Sequence, residues 1–310
     1  PRGHNLRILG RALGLLSRDP HQGFQGPFAT FLDFCCLHQN CRDRDGIPQR
    51  RTFEYIDGAG RFADGAVGRF DNENVLFRTA LGSLGSFYSH PRTLVFMLTA
   101  FPSDYDNPDL YTRSGNTHPY ANRGWCFCES SWAMLTKPSF ALVDLGRTTG
   151  KEDCYFKRAG VASSLVATCA AGHRAPIFPD AFEAELDSKG FTNGRADRPR
   201  VATLYREAFA HRFESTTRLA YTQLDWGHEE VKQMCAVLAS GAAPQLERLQ
   251  LSINRMGDEG VSCVVEWLLS PGAAQQLQWL SLDRNLAGGG GAALLAGALR
   301  APGVAPRLQR

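Results

Sequence analysis

Apolar residues recur at helical spacing in three stretches of the N-terminal half. Leucines separated by three and four residues predict an amphipathic helix over residues 6–17. A comparable stripe predicts a helix over residues 71–88, for which Asp71 can serve as the N-cap. A third helix is expected over residues 125–136, and Pro138 ends it.

Continuous apolar and β-branched runs alternate with these helices. They cover residues 28–32, 93–99 and 140–145, and Asp33 follows the first run directly. Strands that alternate with helices indicate an α/β domain with a parallel sheet and right-handed crossovers. Long polar loops follow the first two strands, so we expect them to meet at the carboxyl edge of the sheet, where such folds place their ligand sites.

The pattern is less regular over residues 151–213. We expect a short strand over residues 175–179 and a helix over residues 180–187. A further helix is expected to begin near Asp197, with Pro199 in its first turn. These elements make the stretch a connecting α/β segment between two larger units.

The C-terminal part of the chain repeats itself at a spacing of 31 residues. Three positions of one unit return in the next: Leu249, Leu251 and Asn254 correspond to Leu280, Leu282 and Asn285. A degenerate earlier copy contains Leu219. Each unit has a short strand, a tight turn and a helix, whose apolar faces can be buried only by stacking on neighbouring units. The pattern resembles ribonuclease-inhibitor-type leucine-rich repeats over residues 214–310, with an unrelated pair of strand–helix hairpins as the alternative.

This resemblance implies that a protein partner binds to the exposed side chains of the strands. In this sequence, those side chains are Arg248, Gln250, Gln278 and Trp279. A tryptophan on a strand is typical of a contact anchor, although a packing role for Trp279 is equally open.

Composition and charge narrow the function classes. The chain has 310 residues, 43% of them hydrophobic and 21% charged, which excludes an intrinsically disordered protein. Its 34 basic and 31 acidic side chains give a formal net charge of +3, so no basic excess favours a nucleic-acid partner. No apolar run is long enough to span a membrane. An odd number of cysteines, nine, without a signal-peptide pattern indicates reduced thiols in the cytoplasm.

One short stretch combines residue types that suit chemistry on a sugar bond. Tyr120 precedes Trp125 by five positions, and Glu129 follows Trp125 by four, one helical turn further along the same face. Trp132 lies on that face as well, so we expect the carboxylate between two indole rings near a helix start. Such a carboxylate can stabilise an oxocarbenium-like ribose or act on its hydroxyl groups. An acidic residue that complements the helix dipole is the ordinary alternative.

The order of elements, together with the motif Y-x4-W-C-x2-E, resembles the Toll/interleukin-receptor (TIR) domain over residues 1–150. The resemblance implies that Glu129 cleaves the nicotinamide–ribose bond of NAD, and that the family's first strand lies at or before Pro1. It assigns the lining of the substrate pocket to Trp125, Arg123 and Asp33. The same fold also serves as a non-catalytic module that self-associates, and this role stays open.

Five cysteines fall close to the predicted sheet edge: Cys35, Cys36, Cys41, Cys126 and Cys128. Together with His38 they could supply the sulfur and imidazole ligands of a zinc site. Their spacing matches no familiar zinc-binding pair, so buried free thiols are the preferred interpretation. We therefore expect no metal and no resident cofactor, and NAD enters only as a candidate substrate.

Together, these patterns predict an α/β protein in three parts. A flavodoxin- or TIR-like parallel-sheet domain (residues 1–150) is followed by the connecting segment (151–213) and a leucine-rich-repeat solenoid (214–310). The expected function is intracellular recognition and signalling, with a protein partner on the repeats and homo-oligomers formed by the TIR-like domain. The alternatives are an NAD-cleaving glycohydrolase that uses Glu129 and a non-enzymatic scaffold.

Overall fold

The structure of this chain is a computed structural model that describes residues 4–19, 71–100, 119–156, 163–169, 173–191 and 194–309. Its N-terminal elements are α1 (His4–Ser17), α2 (Asp71–Ser89), β1 (Val95–Met97), α3 (Gly124–Ala133) and β2 (Leu142–Asp144). Three helices follow, namely α4 (Leu165–Cys169), α5 (Pro179–Leu186) and α6 (Gly194–Glu214). Strands and helices then alternate as β3 (Arg218–Ala220), α7 (His228–Ala239), β4 (Arg248–Gln250), α8 (Gly257–Leu269), β5 (Trp279–Ser281) and α9 (Gly289–Ala298).

The N-terminal part contains a short parallel sheet. Strands β1 and β2 pair in parallel, with Phe96 opposite Val143. Both strands lie within the predicted apolar runs but are shorter than those runs, and 3₁₀ turns at Ser139–Ala141 and Leu145–Arg147 bound β2 on its two sides. The strand predicted over residues 28–32 lies outside the described residues. The mixed α/β class with parallel strand pairing is thus confirmed for the part that is described.

The C-terminal sheet has three parallel strands in the order β3-β4-β5. Leu219, Leu249 and Leu280 lie side by side in its register. Leu219 and Leu249 are fully buried, whereas Leu280 is only partly buried, because β5 has a described strand on one side only. Each strand is followed by one of the helices α7, α8 and α9, so the predicted strand–helix alternation is present in all three units.

One hydrophobic core runs from α2 and α3 through α5 and α6 into the strand–helix units. The rings of Phe127, Phe182 and Tyr205 form a continuous stack through this core, with centroids 4.9 Å and 3.8 Å apart. The hydroxyl group of Tyr221, just beyond β3, donates a buried hydrogen bond to the carbonyl oxygen of Leu135. The connecting segment is therefore packed into the same core as the elements on either side of it.

Two details of the connecting segment differ from the sequence expectations. Residues 175–179, predicted as a strand, pair with no strand of the described chain. The side chains of Gln233 and Tyr205 donate hydrogen bonds to three of its carbonyl groups, so these acceptors are satisfied without a neighbouring strand. Helix α6 begins at Gly194, three residues before the predicted start at Asp197.

Candidate functional site

Strands β3, β4 and β5 present one row of exposed side chains at their amino ends. Arg218, Arg248 and Trp279 are register partners, and we call these three residues the strand-face row. Trp279 has 52% of its surface exposed. The guanidinium group of Arg218 donates to Oε1 of Gln250 at 2.8 and 3.3 Å. That of Arg248 has no hydrogen-bond or ion-pair partner among the described residues.

The structure brings together three of the four side chains that the sequence assigned to partner binding. Arg248 and Trp279 lie in the strand-face row, and Gln250 lies two residues further along β4, where Arg218 holds it. Gln278 is half-buried at the entry to β5, and its carbonyl oxygen accepts the backbone N–H of Gln309 at 3.1 Å. Gln278 is therefore a neighbour of the row rather than a member of it.

Hydroxyl and carboxylate groups lie at the carboxyl ends of β4 and β5, and the sequence analysis did not assign Ser252 or Asp283 to the site. The hydroxyl oxygens of Ser252 and Ser281 are 2.6 Å apart, and Ser281 donates to Oδ1 of Asp283 at 2.7 Å. Hydrogen bonds from Ser252 and Ser281 hold the pKa of Asp283 below its ordinary value. The alternation of side chains along each strand was the signal that could have found these residues.

A buried asparagine joins the first two strand–helix units. Asn254 is only 4% exposed. Its Oδ1 accepts the backbone N–H groups of Leu224 and Trp226 at 2.9 and 3.2 Å. Its Nδ2 donates to the carbonyl oxygens of Tyr221 and Leu251 at 2.7 and 2.9 Å. One amide side chain thus satisfies backbone groups of two successive turns.

Asn285 takes the same place between the second and third units. Its Oδ1 accepts the backbone N–H of Asn254 at 3.1 Å. Its Nδ2 donates to the carbonyl oxygens of Leu251, Leu282 and Asp283. Because both asparagines use the same atoms for the same purpose, the turns that follow the strands keep one geometry.

The backbone conformation of these turns repeats as well. Gln223, Ile253 and Arg284 occupy matching positions and have φ angles of 59°, 58° and 57°. The N–H groups of Gln223 and Ile253 donate to the carbonyl oxygens of Ser252 and Asp283 in the following unit. The strand-face row therefore stands on a scaffold with repeated geometry.

The Glu129 motif lies on α3. Glu129 is the sixth residue of this helix and is 9% exposed, so it sits in the second turn rather than at the start. The reason is that α3 begins at Gly124, before the motif's tryptophan. The indole N–H of Trp125 donates to Oδ2 of Asp197 at 3.2 Å, and Trp132 is fully buried.

Arg123, assigned to the substrate pocket, is the extended N-cap residue of α3 and forms a β-bridge with Gly190. The N–H of Gly124 donates to the carbonyl oxygen of Gly190 at 2.9 Å. A Cβ atom at Gly124 would lie 2.0 Å from the ring of Phe191, so this close approach requires glycine. Asp33 lies outside the described residues, and the substrate pocket stays a prediction.

Two cysteine thiols lie within the motif on α3. Cys126 and Cys128 form no disulfide, and burial, followed by the charge of Glu129, raises the pKa of Cys128 well above its ordinary value. Among the described residues, no group of three or more His, Cys, Asp or Glu side chains could hold a metal ion. The remaining members of the zinc hypothesis lie outside that part of the chain: Cys35, Cys36, Cys41 and His38.

Comparison with known proteins supplies no relative. No protein-family model matches the chain, and neither does any curated protein or any solved structure. Within the described ranges, every helix lacks the length or the apolar character that crossing a membrane requires. The function must therefore be inferred from the geometry itself.

Proposed function

We propose that this chain is a cytoplasmic recognition and signalling protein whose residues 214–310 form a leucine-rich-repeat array that binds a protein partner. The observation that carries the proposal is the strand-face row, in which two guanidinium groups and an indole stand side by side on parallel strands. Trp and Arg are enriched among the residues that dominate binding energies. The buried asparagines bond backbone groups of the turns after the strands, so the backbone beneath the row loses little conformational entropy on binding.

The members of the row have different roles in this proposal. Trp279 supplies the apolar contact, because half of its surface is free to be covered by a partner. Arg248 supplies the charged contact, since it has no partner of its own in the described chain. Gln250 and Gln278 lie at the rim, where polar side chains exclude water and orient the partner.

Two substitutions and a matched control test the partner site. The full chain is used to capture binding proteins, and the captured proteins are quantified by mass spectrometry. We expect Trp279→Ala and Arg248→Ala each to lose the same proteins from the captured set. Leu269→Ala removes a comparably exposed apolar side chain from α8 and should leave the captured set unchanged. An identical captured set for all three variants would contradict the proposed role of the row.

The TIR-like domain over residues 1–150 is assigned to self-association in this proposal. Support comes from the order of helices and parallel strands and from the packing of α3 against α2. Sedimentation velocity at rising concentrations of the full chain should show dimers or larger species. A monomer at every concentration would argue against this part of the proposal.

A second candidate function is cleavage of NAD by Glu129. What favours it is the burial of this carboxylate one helical turn from Trp125, whose indole Asp197 holds in place. The test is release of nicotinamide from NAD by the purified chain, with Glu129→Gln expected to abolish release and Glu266→Gln, at an exposed site on α8, to retain it. If no nicotinamide is released, this chain does not have the activity. If, in addition, no protein partner is captured, the chain is best described as a non-enzymatic scaffold.

A further inference from the structure

Four basic side chains lie close to the amino end of β1, apart from the strand-face row and the Glu129 motif. Lys137 follows α3 and is buried. Its Nζ donates to the carbonyl oxygen of His90, and to the carbonyl and hydroxyl oxygens of Thr93 at 2.7 and 2.6 Å. His90 and Thr93 belong to the turn that joins α2 to β1, so the Lys137 side chain links the two ends of this turn by hydrogen bonds.

Arg212 acts on the same turn, and Arg92 is part of it. Burial lowers the pKa of both Lys137 and His90, and the charge of Arg212, in the last turn of α6, lowers both further. Arg92 also lowers the pKa of His90, so both guanidinium groups act on this imidazole. Nδ1 of His90 accepts the backbone N–H of Arg92 at 3.1 Å, which leaves Nε2 to carry the proton and donate outward.

No carboxylate of the described residues acts on Lys137 or His90. None of the four side chains forms an ion pair with a carboxylate of the described chain, and every charge that acts on Lys137 and His90 is positive. The Nε atom of Arg212 is buried and has no hydrogen-bond acceptor in the described part of the molecule. A buried donor without an acceptor is costly, and an anion with several oxygen atoms would supply the acceptor.

We propose that Arg212, His90 and Arg92 bind an oxyanion of the phosphate class, with Lys137 holding in place the turn that carries His90 and Arg92. Phosphate oxygens match both the planar donors of guanidinium groups and the single donor of an imidazole. His90 and Arg92 are exposed, so an anion can reach them from solvent. Free phosphate and the headgroup of an anionic phospholipid share this chemistry, and the experiment below separates the two sources.

The first experiment measures the thermal stability of the full chain in sodium phosphate and in sodium chloride of equal ionic strength. We expect phosphate, compared with chloride, to raise the Tm of the unaltered chain more than that of Arg212→Gln at each concentration, because the general stabilising effect of phosphate acts on both chains alike. Arg212→Gln removes a charge-assisted contact and should weaken the apparent phosphate affinity about tenfold. Arg206→Gln is the matched control, because this arginine lies on the same helix but is already paired with Asp180 and Glu183.

A second pair of measurements keeps the proposal testable if Arg212→Gln does not fold. Arg92→Gln changes only an exposed side chain and should also weaken phosphate binding, by about threefold. In the unaltered chain, phosphate should raise the pKa of His90 in an NMR titration, because a nearby dianion favours the imidazolium. Equal effects of phosphate and chloride on Tm, or undiminished phosphate binding by Arg212→Gln or Arg92→Gln, would overturn the proposal.

Vesicles identify the source of the anion. Retention of the chain by phosphatidylserine vesicles but not by phosphatidylcholine vesicles would assign the site to a lipid headgroup, provided that Arg212→Gln abolishes this retention. Binding of free phosphate without vesicle retention would assign it to a soluble phosphate compound. Retention that survives Arg212→Gln, without any response to phosphate, would place the anion elsewhere and refute the site.

Discussion

Replacing Asn254 by leucine should be among the most damaging single changes in the strand–helix units. Leucine has the same branching and number of side-chain heavy atoms but can neither donate nor accept a hydrogen bond. Four hydrogen bonds between the side chain and the backbone are lost, to Leu224, Trp226, Tyr221 and Leu251. The cost depends on which of those backbone groups keep another partner.

Three of the four groups are left without a partner by this change. The carbonyl oxygen of Leu251 still accepts from Nδ2 of Asn285, whereas the other three groups have no second partner in the described chain. A buried polar group without a partner costs about 1–3 kcal/mol, so we expect Asn254→Leu to lower the free energy of unfolding by about 4 kcal/mol. Asn285→Leu leaves only two backbone groups without a partner, the N–H of Asn254 and the carbonyl oxygen of Leu282. The carbonyl oxygen of Asp283 keeps its hydrogen bond from the N–H of Ile253. We therefore expect Asn285→Leu to lower the free energy of unfolding by about 2 kcal/mol.

Urea unfolding of the full chain under reducing conditions, followed by circular dichroism, measures both variants. The ranking is the sharper test, because the two substitutions have the same chemistry and both sites are almost fully buried. Asn254→Asp keeps the acceptor oxygen and should fall between the leucine variant and the unaltered chain. A cost for Asn285→Leu equal to or above that for Asn254→Leu would refute this account of how the units are joined.

Three further outcomes follow from the structure. Ile253 is β-branched with a φ of 58°, so Ile253→Asn should raise the free energy of unfolding by about 1 kcal/mol in urea, whereas no gain would show that the turn is unstrained. Gly291→Ala puts a Cβ atom 2.7 Å from Oδ1 of Asp258, the oxygen that accepts the N–H of Gly288, and should lower the Tm. Gly297→Ala is the control on the same helix, because its Cβ atom would have no neighbour within 4 Å, and it should not lower the Tm. Burial, and then Arg212, lowers the pKa of Lys137 from 10.5 to about 7, so the folded chain binds fewer protons than the unfolded chain between these values. The contribution of Lys137 to the free energy of unfolding should therefore rise by about 2 kcal/mol from pH 7 to pH 9. It is measured as the change, over this pH range, in the difference between the unaltered chain and Lys137→Met, because the buried thiols shift the free energy of unfolding of both chains alike.

The strand–helix units were predictable because their signals are local and repeated. Leu249 and Leu280 mark the strands, and the asparagines that follow them mark the turns, at one spacing in the sequence. The N-terminal strands were predictable for a related reason, since short apolar runs rich in β-branched residues are typical of buried parallel strands. Their exact ends were not, because the flanking 3₁₀ turns depend on contacts such as the one between Thr99 and Asp144.

The parts that could not be predicted depend on residues far apart in the chain. The bond between Trp125 and Asp197 spans 72 residues, and those from Gln233 to the connecting segment span 57 and 58. No periodic pattern connects such positions. The basic side chains around Lys137 come from three distant parts of the chain: the turn after α2, the residues after α3 and the last turn of α6. A single arginine near the end of a helix does not indicate such a group in the sequence.

The continuous core bears on how recognition and association are related in the proposed function. The first strand–helix unit is covered on its N-terminal side by the connecting segment, where the indole of Trp226 donates to the carbonyl oxygen of His173 at 2.5 Å. Tyr221, in the same unit, donates to Leu135, immediately after α3. A stack of repeats needs such a cover, because its terminal units otherwise expose their apolar sides. The helical layer that includes α3 therefore covers the first strand–helix unit, so the proposed association module and the strand-face row share one hydrophobic core.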